Sequence, residues 1–214
     1  DRAYVAQRRA AGPDTRDLVV SSGYTFAAIG QLSDVYLAIL DHPIPMSGLR
    51  AVGRYAEPGE VDAAVAASAD AGLVTGGDPV ALTGTGRQLM LAFADTIAAR
   101  AAPAIGVTAL LGTLIDAGRS DAGPGFAAMT PPYEPESATE PMRYAHRLGA
   151  FRHHRADAHA AAWAAHGLTA AEMLALDDPD LRRAIEDDTN RRDEPVYTVL
   201  TDTERESLLR LLGA

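Results

Sequence analysis

The chain has 214 residues, of which 47% are hydrophobic but only 6% aromatic, which allows one large domain or two small ones and favours closely packed helices over sheet. Cysteine is absent, so disulfides, thiolate zinc sites and cysteine nucleophiles are excluded. The net charge of −10 argues against a broad polyanion-binding surface, although a local basic patch could coexist with an acidic body.

The N-terminal residues and the apolar segments carry no membrane signal. The first residues lack the apolar core of a signal peptide, and the longest apolar run is interrupted by Pro103, Gly106 and Gly112. We therefore expect a cytoplasmic protein without a membrane partner. All nineteen basic residues are arginine, which we interpret as the mutational bias of a GC-rich genome.

The first half of the chain shows the order helix, helix, helix, hairpin, helix. Apolar residues at three- and four-residue spacing predict an amphipathic helix over 22–40. A short helix over 48–55 and a third helix that ends at Gly72 follow. Two short apolar runs within 73–82 flank a Gly-Gly-Asp-Pro turn and predict a small β-hairpin. Thr83 can then cap a helix that continues to about residue 100.

The second half begins with a segment rich in glycine and proline and is helical after it. Residues 118–141 contain five prolines and predict a boundary loop. A long helix follows, and Thr169 with Glu172 predicts a capping box for the next one. The predicted organisation has three parts: an N-terminal arm with a winged helix-turn-helix over 1–117, the loop over 118–141 and a helical C-terminal region over 142–214.

The sequence 63–74, followed by Leu-Thr-Gly-Thr-Gly-Arg at 82–87, resembles the third helix, the wing and the next helix of MarR-type regulators. In those proteins a helix ends in Gly-Leu-Val, and a hairpin then leads to Leu-Thr-x-x-Gly-Arg. The resemblance covers roughly residues 19–100. It implies a mainly α protein with a winged helix-turn-helix and a small β-hairpin wing, which binds DNA as a homodimer and responds to a small molecule.

Three stretches of the C-terminal region stand out, 148–163, 185–190 and 195–197. Together they resemble an uncharacterised actinobacterial family of MarR-related winged helices with a helical extension. This resemblance supports the architecture and implies no activity.

The candidate DNA-binding residues are Arg50, Arg54 and Arg87, which we expect to form one basic patch. A recognition helix normally places basic or amide side chains on phosphates and base edges. The segment 57–72 instead carries four acidic residues and no basic one, so the three arginines offer weak contacts to the DNA backbone only. The alternative is a winged helix kept as a structural or dimerisation module.

The candidate ligand-binding residues are Arg152, His153, His154, Asp157 and His159, all on the predicted long helix. Five of the six histidines of the chain lie there. Their spacing lacks the His-Glu-x-x-His pattern, so we predict no stoichiometric metal, and we expect no cofactor. A cationic helix that holds an anion, or that pairs with the chain's own carboxylates, is the favoured interpretation.

The sequence favours a binding protein over an enzyme. No Gly-x-Ser-x-Gly elbow, Walker loop or dinucleotide fingerprint occurs. We predict a MarR-type winged-helix transcriptional regulator that responds to a small apolar or anionic ligand. The alternative is a winged-helix-derived ligand-binding or self-protection protein, or an enzyme that uses the histidine-rich helix, without DNA binding.

Leucines crowd the predicted last helix, over 201–212. Exposed leucines there would need a partner, which predicts a homodimer through the N-terminal segment and this helix. The alternative is that the helix folds back within one subunit beside Trp163.

Overall fold

The computed structural model describes residues 2–212. It is mainly helical, as the composition predicts, and no sheet forms within that range. None of its helices is long and apolar enough to cross a membrane. The helices are α1 Arg2–Ser22, α2 Phe26–Ile39, α3 Met46–Val52, α4 Glu60–Asp70, α5 Gly84–Ala99, α6 Val107–Gly118, α7 Pro124–Ala128, α8 Glu140–Ala165, α9 Ala170–Ala175, α10 Pro179–Asp193 and α11 Asp202–Leu211. Two 3-10 segments, Arg119–Asp121 and Glu194–Val199, follow α6 and α10.

Helix α8 lies at the centre of the fold. It packs against α5, α6, α7 and α10 and also contacts α1 and α2, so side chains such as Leu148 and Phe151 are buried along much of its length. A Cβ atom at Gly149 would lie 2.5 Å from Cδ2 of Leu37 on α2. The glycine therefore permits the close approach of α2 to α8.

Several helix ends follow the signals in the sequence. The Thr83 hydroxyl accepts a hydrogen bond from the Gly86 amide at 3.1 Å and caps α5. Thr169 and Glu172 form a capping box at the start of α9. Gly72 follows α4 with a φ of 72°, a left-handed conformation that glycine adopts without strain. These three predictions are confirmed.

The segment between α4 and α5 is not a regular β-hairpin. Isolated antiparallel bridges join Val74 to Leu82 and Ile44 to Val80. Each apolar run is only a few residues long, and Pro79 has no N–H group to donate to a ladder. Pairing therefore stops at single bridges, and the predicted hairpin wing is not confirmed as a pair of strands.

Two segments have more structure than their sequence indicated. The N-terminal arm is the helix α1, which includes Pro13 and packs against α5 and α8. Residues 118–141 contain α7, and the side chains of Phe126 and Met129 there are fully buried. Part of the predicted boundary loop therefore belongs to the main core.

The C-terminal helices contact the rest of the chain in two places. Helix α11 packs on α6, where Leu208 is buried, and not beside Trp163. Trp163 packs instead on a small separate cluster around Ala162 and Ile185, where α8, α9 and α10 meet. Leu209 is 59% exposed, so α11 leaves this leucine uncovered.

Candidate ligand-binding site

A cavity of about 620 Å³ lies between α2, α4 and the segment that joins α3 to α4. Its volume falls within the range of small-molecule sites, roughly 300–1,000 Å³. Its walls are mainly apolar, with a few polar side chains. From α2 the cavity is lined by Phe26, Gln31 and Asp34, and from α4 by Glu60, Ala64 and Ala67.

The small residues of α4 explain why the cavity forms. Ser68 is buried, and its hydroxyl donates a hydrogen bond to the carbonyl of Ala28 on α2 at 2.6 Å. This contact holds the two helices together. Ala64 and Ala67 carry only a methyl group each and are too small to fill the space that remains between the helices.

Two polar side chains of α2 lie in the wall of the cavity. Gln31 is 9% exposed, and its amide Nε2 has no hydrogen-bond partner within residues 2–212. Buried donors are nearly always paired in folded proteins, so an acceptor on a ligand would satisfy this one. Desolvation raises the pKa of the Asp34 carboxyl, against the opposing charges of Arg8 and Arg152, while part of the side chain stays open to solvent.

Tyr55 connects the cavity to α8. Its hydroxyl lies 2.8 Å from Nδ1 of His159, one of the candidate ligand residues. Desolvation lowers the pKa of His159, with the nearby Glu186 opposing it, so the ring is neutral at pH 7 and Nδ1 can accept a hydrogen bond from the tyrosine hydroxyl. His159 therefore orients a residue of the cavity wall.

The arginines predicted to face DNA are engaged within the chain. Arg50 forms an ion pair with Asp62 of α4, with 2.5 Å between Nη2 and Oδ1. Arg87 donates to the carbonyl of Leu40 at 2.7 Å, and its guanidinium lies over the ring of Tyr133. Both arginines keep some exposed surface, but neither has its full hydrogen-bonding capacity free for phosphate.

Arg54 is almost fully buried, and its guanidinium is engaged within the chain. Its Nη2 lies 2.5 Å from Oδ1 of Asp157, and the two side chains are 10% and 8% exposed. Its Nη1 donates to the carbonyl of Ala156 at 2.8 Å. Asp157 also accepts the amides of Gly125 and Phe126, at 3.2 and 2.7 Å. The expected patch of three arginines therefore lacks this member, because its charge is neutralised inside the protein.

The candidate ligand residues of α8 do not converge on one cavity. The guanidinium of Arg152 lies 4.3 Å from the ring centroid of Tyr4 on α1. The Nδ1 atom of His154 lies 2.8 Å from Oδ1 of Asp193 on α10. Asp157 accepts hydrogen bonds from two amides of α7, and His159 lies beside the Tyr55 hydroxyl. Neighbouring positions on a helix point in different directions, so this sequence cluster spreads its side chains over several partners.

His153, the remaining member, is buried inside the fold. Its side chain is 2% exposed, and neither ring nitrogen has a hydrogen-bond partner among the described residues. Desolvation, together with the charges of Arg152 and Arg54, lowers its pKa to about 2. Within residues 2–212 no three His, Asp or Glu side chains are grouped so that they could hold a metal ion.

The residues of the cavity could not be singled out from the sequence. Gln31 and Asp34 read as the polar face of an amphipathic helix, and Tyr55 precedes a turn. One signal was present: the exposed positions of α4 carry only alanine and acidic side chains. Such a face has no basic group for DNA phosphates, and its alanines are small enough to leave space for a small molecule.

No family model, curated protein or solved structure matches this chain.

Proposed function

We propose that the protein is a winged-helix-derived binding protein whose ligand is a small molecule held in the cavity between α2 and α4. The observation that carries the proposal is the side-chain composition of α4, the helix that has the position of a recognition helix in the element order. Its exposed face is acidic, it carries no basic residue, and its alanines line a cavity of about 620 Å³.

The order of the elements supports a winged-helix origin. Helices α2, α3 and α4 precede the bridged segment, which is residues 71–83 between α4 and α5, and α5 follows it. The bridge between Ile44 and Val80 brings the residues before α3 beside this segment, as the short strand before the second helix does in a winged helix. The MarR-type resemblance of residues 19–100 agrees with this order.

The charges around α4 favour a small ligand over DNA. Glu60, Asp62 and Asp70 are exposed on α4, and phosphate would be repelled by each of them. Among the arginines proposed for DNA, Arg54 is buried and Arg50 is paired with Asp62.

A MarR-type transcriptional regulator that binds DNA remains the second candidate. It is favoured by the element order and by Arg50, whose side chain is 55% exposed despite its ion pair. Retention on immobilised duplex DNA separates the two functions. The ligand-binding proposal predicts no retention at about 50 mM salt, whereas a DNA-binding regulator would be retained there and released by about 200 mM.

A cavity-filling variant tests the ligand site directly. Ala67→Phe should block the cavity, while Ala66→Phe places the same ring on an exposed position of the same helix outside it. Equilibrium dialysis measures the binding of three phenolic probes to both variants and to the parent chain. The probes are tyramine, a cation, tyrosol, a neutral alcohol, and 4-hydroxyphenylacetate, an anion. We expect at least one probe to bind the parent and Ala66→Phe but not Ala67→Phe. Equal binding to all three proteins, or no binding at millimolar probe, would contradict the proposal.

A further inference from the structure

We propose that the cavity between α2 and α4 selects an organic cation, a protonated amine on an aromatic or apolar body. This inference rests on the proposed small-molecule site and names the chemical class of its ligand. The juxtaposition that points to it is two carboxylates and two exposed aromatic rings around one unpaired amide.

The charged side chains that line the cavity are both acidic. Asp34 contributes a carboxylate from α2 and Glu60 another from the first turn of α4, and no arginine or histidine of the described chain joins them in the wall. One Glu60 oxygen accepts the amide of Glu57 at 3.0 Å, and the other accepts no hydrogen bond from residues 2–212. A concave site with one sign of charge concentrates counter-ions of the opposite sign, and the net charge of −10 adds to this field.

The nearest positive charges are directed elsewhere. The charges of Arg8 and Arg152 both oppose the rise in the pKa of the Asp34 carboxyl. Neither guanidinium lies within ion-pair distance of that carboxyl. The guanidinium of Arg8 lies 5.4 Å from the ring centroid of Phe93, and that of Arg152 lies over Tyr4. Within residues 2–212 the Asp34 carboxylate therefore forms no ion pair, so a ligand can supply its cationic partner.

The aromatic rings of the cavity favour the same class of ligand. Phe26 is 59% exposed and Tyr55 is 40% exposed, and both line the cavity. A cation within about 6 Å of such a ring face is attracted by the ring quadrupole. An amine placed beside Asp34 would thus have an acidic partner in a site that also presents aromatic surface.

The unpaired amide of Gln31 is an independent sign of a ligand. Its Nε2 is buried without a hydrogen-bond partner among the described residues, and the residue lines the cavity. A hydroxyl or carbonyl oxygen on the ligand would accept its hydrogen bond. The preferred ligand is therefore an amine that also carries an oxygen acceptor.

Three probes of nearly equal shape separate the contribution of charge. Tyramine is a cation at pH 7, tyrosol is its neutral alcohol and 4-hydroxyphenylacetate is its anionic counterpart. We expect calorimetric titration of the full chain to show tyramine binding at least about tenfold tighter than tyrosol, with the anion weakest, as one added ion pair would produce. Equal or tighter binding of the alcohol or the anion would overturn the inference.

Matched variants assign the selectivity to the carboxylates. Asp34→Asn, or Glu60→Gln if the first variant does not fold, should weaken tyramine but leave tyrosol unchanged. Asp70→Asn removes the same charge from an exposed position on α4 outside the cavity and should leave tyramine binding intact. If the alcohol or the anion binds best and Ala67→Phe abolishes that binding, the cavity is a ligand site of another class. If Ala67→Phe abolishes no binding, the proposed function fails as well.

Discussion

Asp157 joins three parts of the molecule through a single carboxylate. It pairs with Arg54 and accepts the first-turn amides of α7 at Gly125 and Phe126. Helix α7 has five residues and no side-chain cap of its own, so a carboxylate from α8 takes the place of the missing cap. These contacts give Asp157, a member of the predicted ligand-binding group, a structural role.

Asp157→Asn should destabilise the protein by about 3–5 kcal/mol, because it leaves the Arg54 guanidinium buried without a counter-charge. Chemical denaturation at pH 7 measures the free energy of unfolding. Asp187→Asn, at an exposed position on α10, is the control and should change it by less than about 0.5 kcal/mol. A loss as small as that of the control would show that the ion pair and the helix cap are dispensable.

His153 makes the stability of the fold depend on acid. Its pKa is lowered from 6.5 to about 2 in the folded chain. Between these values the unfolded chain binds a proton that the folded chain does not, so stability is lost as the pH falls below 6.5. This contribution amounts to about 1.4 kcal/mol per pH unit for one histidine.

His153→Leu should remove that dependence without loss of stability at pH 7, because an apolar side chain replaces a buried polar ring that has no hydrogen-bond partner within residues 2–212. Denaturation curves between about pH 6 and 4.5 should show a slope shallower than that of the parent by about 1.4 kcal/mol per pH unit. His166→Leu, at an exposed position, serves as the control. An unchanged slope in His153→Leu would mean that His153 accepts a proton in the folded protein.

At the level of elements, the motif Leu-Thr-x-x-Gly-Arg fixes the start of α5 against the bridged segment. The Thr83 hydroxyl donates to the carbonyl of Gly72 at 2.6 Å and accepts the amide of Gly86. A Cβ atom at Gly86 would lie 1.9 Å from the carbonyl oxygen of Leu73. Arg87 then binds the carbonyl at the end of α2. Each of these residues stabilises the local structure at the start of α5, and none of these contacts requires DNA.

Gly86→Ala should therefore destabilise the protein by about 1–3 kcal/mol or more, because backbone must move to admit the methyl group. Gly84→Ala is a matched control two residues earlier, where a Cβ atom would meet no neighbour within 4 Å, and it should be neutral or slightly stabilising. Thermal unfolding of both variants decides the point. Equal melting temperatures would refute the close contact between α5 and the bridged segment.

The elements show how far sequence patterns reach. Caps such as Thr83 and Thr169, and the positive-φ Gly72, follow from local chemistry and were predictable. Helix α7 was not, because its cap comes from Asp157, 32 residues beyond Gly125 along the chain. The cavity could not be predicted either, since its walls come from α2, α4 and the segment that joins α3 to α4. Both features depend on tertiary contacts that no local pattern encodes.

At the level of the whole molecule, the homodimer stays a prediction, and fewer exposed leucines support it than the sequence indicated. Leu208 is covered by the chain itself, so among the leucines of α11 only Leu209 is largely exposed within the described residues, and Val5 and Val20 of α1 are exposed as well. If these residues form the interface, light scattering at micromolar concentration should give twice the chain mass of 22.4 kDa for the parent, and Leu209→Arg should reduce it. A parent chain that scatters as a monomer would exclude the dimer. It would also exclude a regulator that binds two DNA half-sites through paired winged helices.

The central claim is that the space between α2 and α4 is a small-molecule site. The most direct test is a titration of the full chain, carrying isotope-labelled alanine methyl groups, with tyramine followed by NMR. The account predicts saturable shifts of the Ala64 and Ala67 methyl signals, with Ala184 on α10 unaffected. Absence of saturable shifts at these two alanines with tyramine and, in parallel titrations, with tyrosol and 4-hydroxyphenylacetate would contradict it, as would larger shifts outside the cavity.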